Sequence, residues 1–325
     1  MSDTILSPDL SLIKIYPYSE FMEYGYPPVS VTEFIKDPYK LYYINASHFY
    51  DKFSQSPMDT VTNQTVLKAF LELKFNAVVM EMTGQPRHLT SRYIAGAENK
   101  SMQVPPRCNE MELTIMLARG KNLPFVNAEC PDNEIFAKLH TYGYSLKELQ
   151  AFWILSHFEQ FWRHSLFAET FDSNIFKLAA SFASARGYPQ KEWLSAQEYK
   201  TWFFKHHPDR KIPWDAREGD ALSERPEHAT AVQLLANKYA DLRDKYAIGS
   251  IVGVLQEHKS VLVVYGAHHF HAHKPVFDAL LTPGKERIAL PAHPRTSGSR
   301  VSDRLGYRNT LPPQYKPLTI QHVLG

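Results

Sequence analysis

The sequence predicts an α/β protein: a central, mostly parallel sheet flanked by helices, with an all-helical insertion. Three observations predict it. Residues 41–82 read as strand, helix, strand, which implies parallel pairing through a right-handed crossover. A second strand–loop–helix–strand unit follows up to residue 129. The middle of the chain then changes to helical patterns rich in aromatic residues.

Residues 1–40, punctuated by Pro17, Pro27, Pro28 and Pro38, read as an irregular N-terminal arm with room for one short strand. LYYINA (41–46) is a short aromatic and β-branched run that suits a buried strand. A helix follows near 62–74, where Val66, Leu67, Phe70, Leu71 and Leu73 make an apolar face. NAVVMEM (76–82) is a second buried strand, and 83–107 reads as a long loop. A helix over 108–119 has Asn109 and Glu112 at capping-box spacing and is stopped by Gly120. LPFVNAE (123–129) is the third strand. Ser145 with Glu148 opens a helix to about 166, a second spans 173–186 up to Gly187, and a third begins at Ser195 with Glu198 and ends before Pro208. A charged, proline-bearing loop occupies 208–228, and a helix from about 229 to 248 and a further turn lead into VLVVY (261–265). A short helix near 275–281 and a last strand in RIALP close the pattern. The domain expectation is therefore an arm over 1–40, an α/β core over 41–144 and 208–291, a helical insertion or cap over 145–207, and a C-terminal arm over 292–325.

With 325 residues, 44% of them hydrophobic, the chain can bury a large core. Thirty-six basic against 34 acidic side chains leave +2, too little field to draw nucleic acid or an anionic membrane surface. Cys108 and Cys130 make no disulfide framework and no C-x-x-C pair. The opening MSDTILSPDLSLIK lacks the basic and apolar regions of a signal peptide, and no apolar run is long enough to span a bilayer. The expectation is a cytoplasmic protein acting on a small-molecule or peptide substrate, although signal-independent secretion leaves the same signature. The sequence carries no sign of oligomeric state.

The chemistry concentrates where strands end. LYYINASH ends with His48, AVVME with Glu81, PFVNAE with Glu129, and VLVVYGAHH with His268 and His269. Ligands of open α/β sheets bind at the carboxyl ends of strands, so these ends collect imidazoles and carboxylates suited to a divalent metal or to acid–base hydrolysis. Taken singly, a strand-end glutamate reads equally well as an ion-pair partner, and a loop histidine as a surface residue; the joint pattern is what points to a site. Residues 44–49 (INASHF) also echo 265–270 (YGAHHF), which pairs His269 with His48 and leaves His268, His271 and His273 unmatched. On that reading His268 neighbours the pocket residue, while His271 and His273 are surface residues or the start of the next helix.

These motifs resemble the Tiki/TraB/PrgY superfamily, which is similar to the erythromycin esterases and to ChaN-like haem-binding proteins. VLVVYGAHHFHAHKPVFDALL looks like that superfamily's strand, Gly-Ala-x-His and helix. DLRDKYA (241–247) resembles its Arg-containing helix, AVVMEM and PFVNAECPD its two glutamate-bearing strand ends, and Asn45 stands where its first motif usually has Gly. Asparagine tolerates positive φ better than most residues, so the turn of that motif can survive the replacement. The resemblance covers about 41–133 and 229–282. It implies that His48, Glu81, Glu129 and His269 line one pocket of a hydrolase cleaving an ester or peptide bond. In one scheme these four bind Mn²⁺, Co²⁺ or Zn²⁺, which activates water. In the other a histidine held in its tautomer by a carboxylate activates water directly, while Arg243 stabilises the oxyanion or holds an acidic substrate group, unless it is a solvated helix position. Two alternatives remain from another class: a haem-binding protein using the HHFHAH imidazoles, and a non-catalytic interaction module on the same fold.

Overall fold

The structure, a computed structural model, describes residues 5–17, 19–20, 28–47, 60–81, 109–161, 170–213, 219–290, 293–294, 307–308, 319 and 323–324. By contacts the chain divides into two units, one of residues 1–16, 20–130 and 243–325, the other of 17–19 and 131–242.

The first unit is built on a six-stranded sheet. Its strands are β1 (Ser30–Lys36), β2 (Tyr39–Ala46), β3 (Ala77–Met80), β4 (Phe125–Asn127), β5 (Ser260–Gly266) and β6 (Thr282–Ala289), in the spatial order β4-β3-β5-β2-β1-β6. β2, β5, β3 and β4 run parallel, and β1 lies antiparallel between β2 and β6. The crossover from β2 to β3 leaves a gap that β5 later fills, so the carboxyl ends of β4, β3, β5 and β2 line one edge of the sheet. Such an edge is where α/β folds hold ligands.

The strands are apolar on both faces because both faces are covered. Tyr42, Ile44, Val78, Met80, Leu262 and Val264 pack under the helices α1 (Val61–Glu72) and α2 (Glu110–Gly120). Their alternating neighbours Leu41, Tyr43, Ala77, Val79, Val261 and Val263 face the other side. There they meet α7 (Ala231–His258), through Ile248, Ile251 and Leu255, and α8 (Ala267–Leu280), through Phe270, Val276 and Phe277. The capping box expected at Asn109 and Glu112 is present, with Glu112 N–H donating to Asn109 Oδ1 at 2.8 Å.

In the second unit the described α-helices are α3 (Asp132–Thr141), α4 (Leu146–Phe161), α5 (Phe171–Ser184), α6 (Ala196–His206) and the first turns of α7, with a 3-10 turn at Gln190–Glu192. Ile135, Phe136, Phe152, Phe182, Tyr199 and Phe203 are buried in it. The Arg186 guanidinium pairs with Asp132 at 3.0 Å and lies over the Phe182 ring at 3.9 Å, so its charge is matched and its flat face is covered.

Several expectations need correction. Residues 30–36 fill the room left for one short strand in the N-terminal arm, although as a full seven-residue strand of the main sheet. Helix α7 continues ten residues past 248, to His258, because Ile251, Val252 and Leu255 keep an apolar face on the sheet. β6 starts at Thr282 although Pro283 and Gly284 argue against a strand there; it is an edge strand, which tolerates both. The largest correction concerns the histidine-rich stretch. It is not a loop before a short helix, since α8 begins directly after Gly266 and runs through Pro275. Asn45 is not in a left-handed turn either. It lies within β2, paired with Tyr265, and its buried side chain accepts from Ser30 N–H at 2.6 Å and donates to Pro28 C=O at 2.9 Å. A glycine could tie β1 to β2 in neither way. The loop over 83–107 lies outside the described residues, as does most of the C-terminal arm.

Candidate functional site

Four elements of the first unit deliver the site. β3 ends at Met80, and the next residue, Glu81, keeps a sheet-like bond from its N–H to Val264 C=O at 3.0 Å. β4 ends at Asn127, whose Oδ1 accepts from Glu129 N–H at 3.0 Å and holds that turn. β5 ends at Gly266, which serves as the N-cap of α8 and so carries His269 into the first turn of that helix. Helix α7 supplies Arg243 and Asp244 from adjacent positions.

Of the five residues expected from sequence, the structure brings four together: Glu81, Glu129, Arg243 and His269. His48 lies outside the described residues. Arg243 donates from Nε to Glu129 Oε2 at 2.9 Å, with a terminal nitrogen 2.7 Å from the same oxygen. That terminal nitrogen is also 3.4 Å from Glu81 Oε1. The other oxygen of Glu81 accepts from Gly266 N–H at 2.7 Å. His269 points Nε2 at Glu81 Oε1, 3.5 Å away. Arg243 is therefore an ion-pair partner, not a solvated helix residue.

Sequence reasoning missed Asp244, His273, Tyr43 and Tyr265. Asp244 Oδ1 lies 2.6 Å from His269 Nδ1 and 3.0 Å from His273 Nε2. His273 is fully buried, which corrects its reading as a surface residue, and its Nδ1 meets Tyr43 Oη at 3.0 Å. Tyr265 Oη donates to Glu129 Oε1. One signal for His273 was available: His269 and His273 are spaced i, i+4, on the same face of any helix. It goes unread when the stretch is taken as loop.

Burial sorts the cluster into an outer and an inner part. The side chains of Arg243, Glu81 and His269 keep 21%, 13% and 11% exposure, whereas Glu129 keeps 1% and His273 none. Burial alone would lower the pKa of His269. The carboxylates of Asp244 and Glu81, each also hydrogen-bonded to the ring, outweigh it and raise the value from 6.5 to about 10. Burial would likewise raise the pKa of Asp244, but the His269 and His273 rings hold it below the usual carboxylate range. Its neighbour His268 is pushed down to about 4, by burial first and then by the cationic His269 ring, so it is neutral at pH 7. His271 stacks on Tyr16, with ring centroids 4.4 Å apart.

Two sets of three donors come within 4.8 Å of one another, Glu81 with Glu129 and His269, and Asp244 with His269 and His273. No helix among the described residues is long and apolar enough to cross a membrane. No family model, curated protein or solved structure matches the chain.

Proposed function

We propose that the protein is a hydrolase of the Tiki/TraB/erythromycin-esterase type that cleaves an ester or peptide bond at the Glu81–His269–Arg243 cluster. One observation carries the reading. An acceptor, a proton-bearing imidazole and a guanidinium meet at the sheet's carboxyl edge as the exposed members of an otherwise sealed network. Glu81 takes the proton of an attacking water. Arg243 faces the oxygen on which charge develops. His269, a proton donor at neutral pH, protonates the leaving group. Asp244 and Glu129 hold His269 and Arg243 in place from behind. This assigns the base to a carboxylate, because the imidazole that the sequence suggests as base already carries its second proton.

The set of Glu81, Glu129 and His269 does not fit a resident divalent ion in this arrangement. Arg243 occupies the space between Glu81 and Glu129, and the remaining oxygens are taken by Gly266 N–H and Tyr265 Oη. An ion would have to displace one cation and sit beside another. The haem alternative has less support, since His269 and His273 are turned toward Asp244 and His271 lies against Tyr16.

The test is a screen of chromogenic esters and fluorogenic peptides, repeated with Glu81→Gln and His269→Gln. Each substitution is expected to lower kcat by roughly 10²- to 10⁴-fold, the usual effect of a positioned acid or base. Activity should be unchanged after chelation and dialysis. Full activity in Glu81→Gln would remove the proposed base, and loss on chelation with recovery on adding Mn²⁺ or Zn²⁺ would replace the scheme with a metal-dependent one.

A further inference from the structure

Behind His269 a chain of hydrogen bonds runs inward from the site to the centre of the sheet. It starts from the ion pair of Glu81 Oε1 with His269 Nε2 (3.5 Å) and passes from His269 Nδ1 to Asp244 Oδ1 (2.6 Å). It continues from Asp244 Oδ1 to His273 Nε2 (3.0 Å) and from His273 Nδ1 to Tyr43 Oη (3.0 Å). Three elements contribute, β2 through Tyr43, α7 through Asp244 and α8 through the two histidines. Tyr43 and His273 are completely buried and Asp244 is 5% exposed.

The chemistry of each group limits where the protons of this chain lie. An ionised carboxylate only accepts, so both ring nitrogens facing Asp244 carry hydrogen. As a neutral ring His273 is the Nε2–H tautomer, with Nδ1 accepting from the Tyr43 hydroxyl. Tyr43 remains a donor because burial, followed by the charges of Glu81, Asp244 and Glu129, raises its pKa well above the ordinary tyrosine value. No donor faces a donor and no acceptor faces an acceptor along the run.

We propose that Tyr43 and His273 are positioning residues: they lock one tautomer and one ring orientation behind Asp244, and so aim His269 at Glu81. Neither touches the reacting groups; both act through the shared Asp244 oxygen. The aim depends on sharing. With Tyr43 gone, His273 keeps its bond to Asp244 but loses the partner at Nδ1, so the ring is held at one nitrogen only and the shared carboxylate is free to turn with it. For the role of His269 this inference rests on the hydrolase reading, whereas the proton arrangement does not.

Two measurements test it. In the full-length protein labelled with ¹⁵N-histidine, two-bond proton–nitrogen spectra report each ring's tautomer, and that part needs no variant. His273 is expected as the Nε2–H form, with a far-downfield proton from the short His269–Asp244 bond. A His273 ring protonated at Nδ1 would overturn the proposal whether or not the protein is a hydrolase. Tyr43→Phe then keeps the buried ring and deletes one hydroxyl. It is expected to shift the downfield proton and the His273 nitrogens and, on any substrate found, to lower kcat with KM unchanged. Unshifted resonances in a folded Tyr43→Phe protein would reduce Tyr43 to packing and sink the proposal. Shifted resonances without hydrolysis of any substrate would uphold the chain while removing the function it is proposed to serve.

Discussion

Removing the guanidinium of Arg243 would leave Glu129, whose side chain is 1% exposed, with a buried charge facing a hydroxyl. Breaking such a pair by deleting one partner costs about 3 to 5 kcal/mol, so Arg243→Met should lower the urea midpoint markedly. Adding Glu129→Gln removes the stranded charge and should restore much of the loss, a coupling that a double-mutant cycle reads directly. Arg243→Lys keeps the charge but not the fork that meets Glu129 from two nitrogens and reaches Glu81 as well; it should fall between wild type and Arg243→Met. An additive double mutant would mean that the two side chains do not act as a pair.

At the scale of elements, the close approach of β6 to β1 is the sharpest constraint. A Cβ on Gly284 would overlap the Thr32 methyl and stand 2.8 Å from the Phe34 ring. Gly284→Ala should therefore cost about 1 to 3 kcal/mol, as overpacking does, measured as a shift in denaturant midpoint with the slope unchanged. Elements also show how far the sequence could be read. β2, β3, β4 and β5 were legible as short apolar runs between turn signals, and Glu81, Glu129 and His269 because each follows such a run. Local pattern was enough for them. The course of α8 was not legible, since Pro275 and four histidines read as a break, while the packing of Val276, Phe277 and Leu280 on the sheet sustains the helix. Tyr43 and Tyr265 were invisible as site residues for a different reason. They sit inside apolar strands, and their partners His273 and Glu129 are 230 and 136 residues away. Only the packing of α8 on β2 and the sheet order that sets the end of β4 one strand away from β5 bring them together, and neither is written in a local pattern.

For the whole molecule, the buried cluster ties stability to pH. His269 binds its proton more tightly folded than unfolded, with a pKa of about 10 against 6.5. Its contribution is thus complete below pH 6.5 and is lost as pH rises toward 10. Asp244 has the opposite sense: its pKa is lowered from 3.8, so its contribution holds above that value and is lost as pH falls beneath it. Thermal melts should show wild type falling more steeply than His269→Gln between pH 6.5 and 10, and parallel curves would contradict the assigned protonation of His269. Arg243 and Asp244, neighbours on one helix, have a final consequence. Each meets groups of opposite charge, yet three carboxylates (Glu81, Glu129 and Asp244) are balanced by only two cations, Arg243 and protonated His269. In these ion pairs carboxylates outnumber cations by one, and both cations are already engaged. Of two esters alike except for a remote charged group, the cationic one should show the lower KM and the anionic one the higher, with the gap narrowing as salt is added.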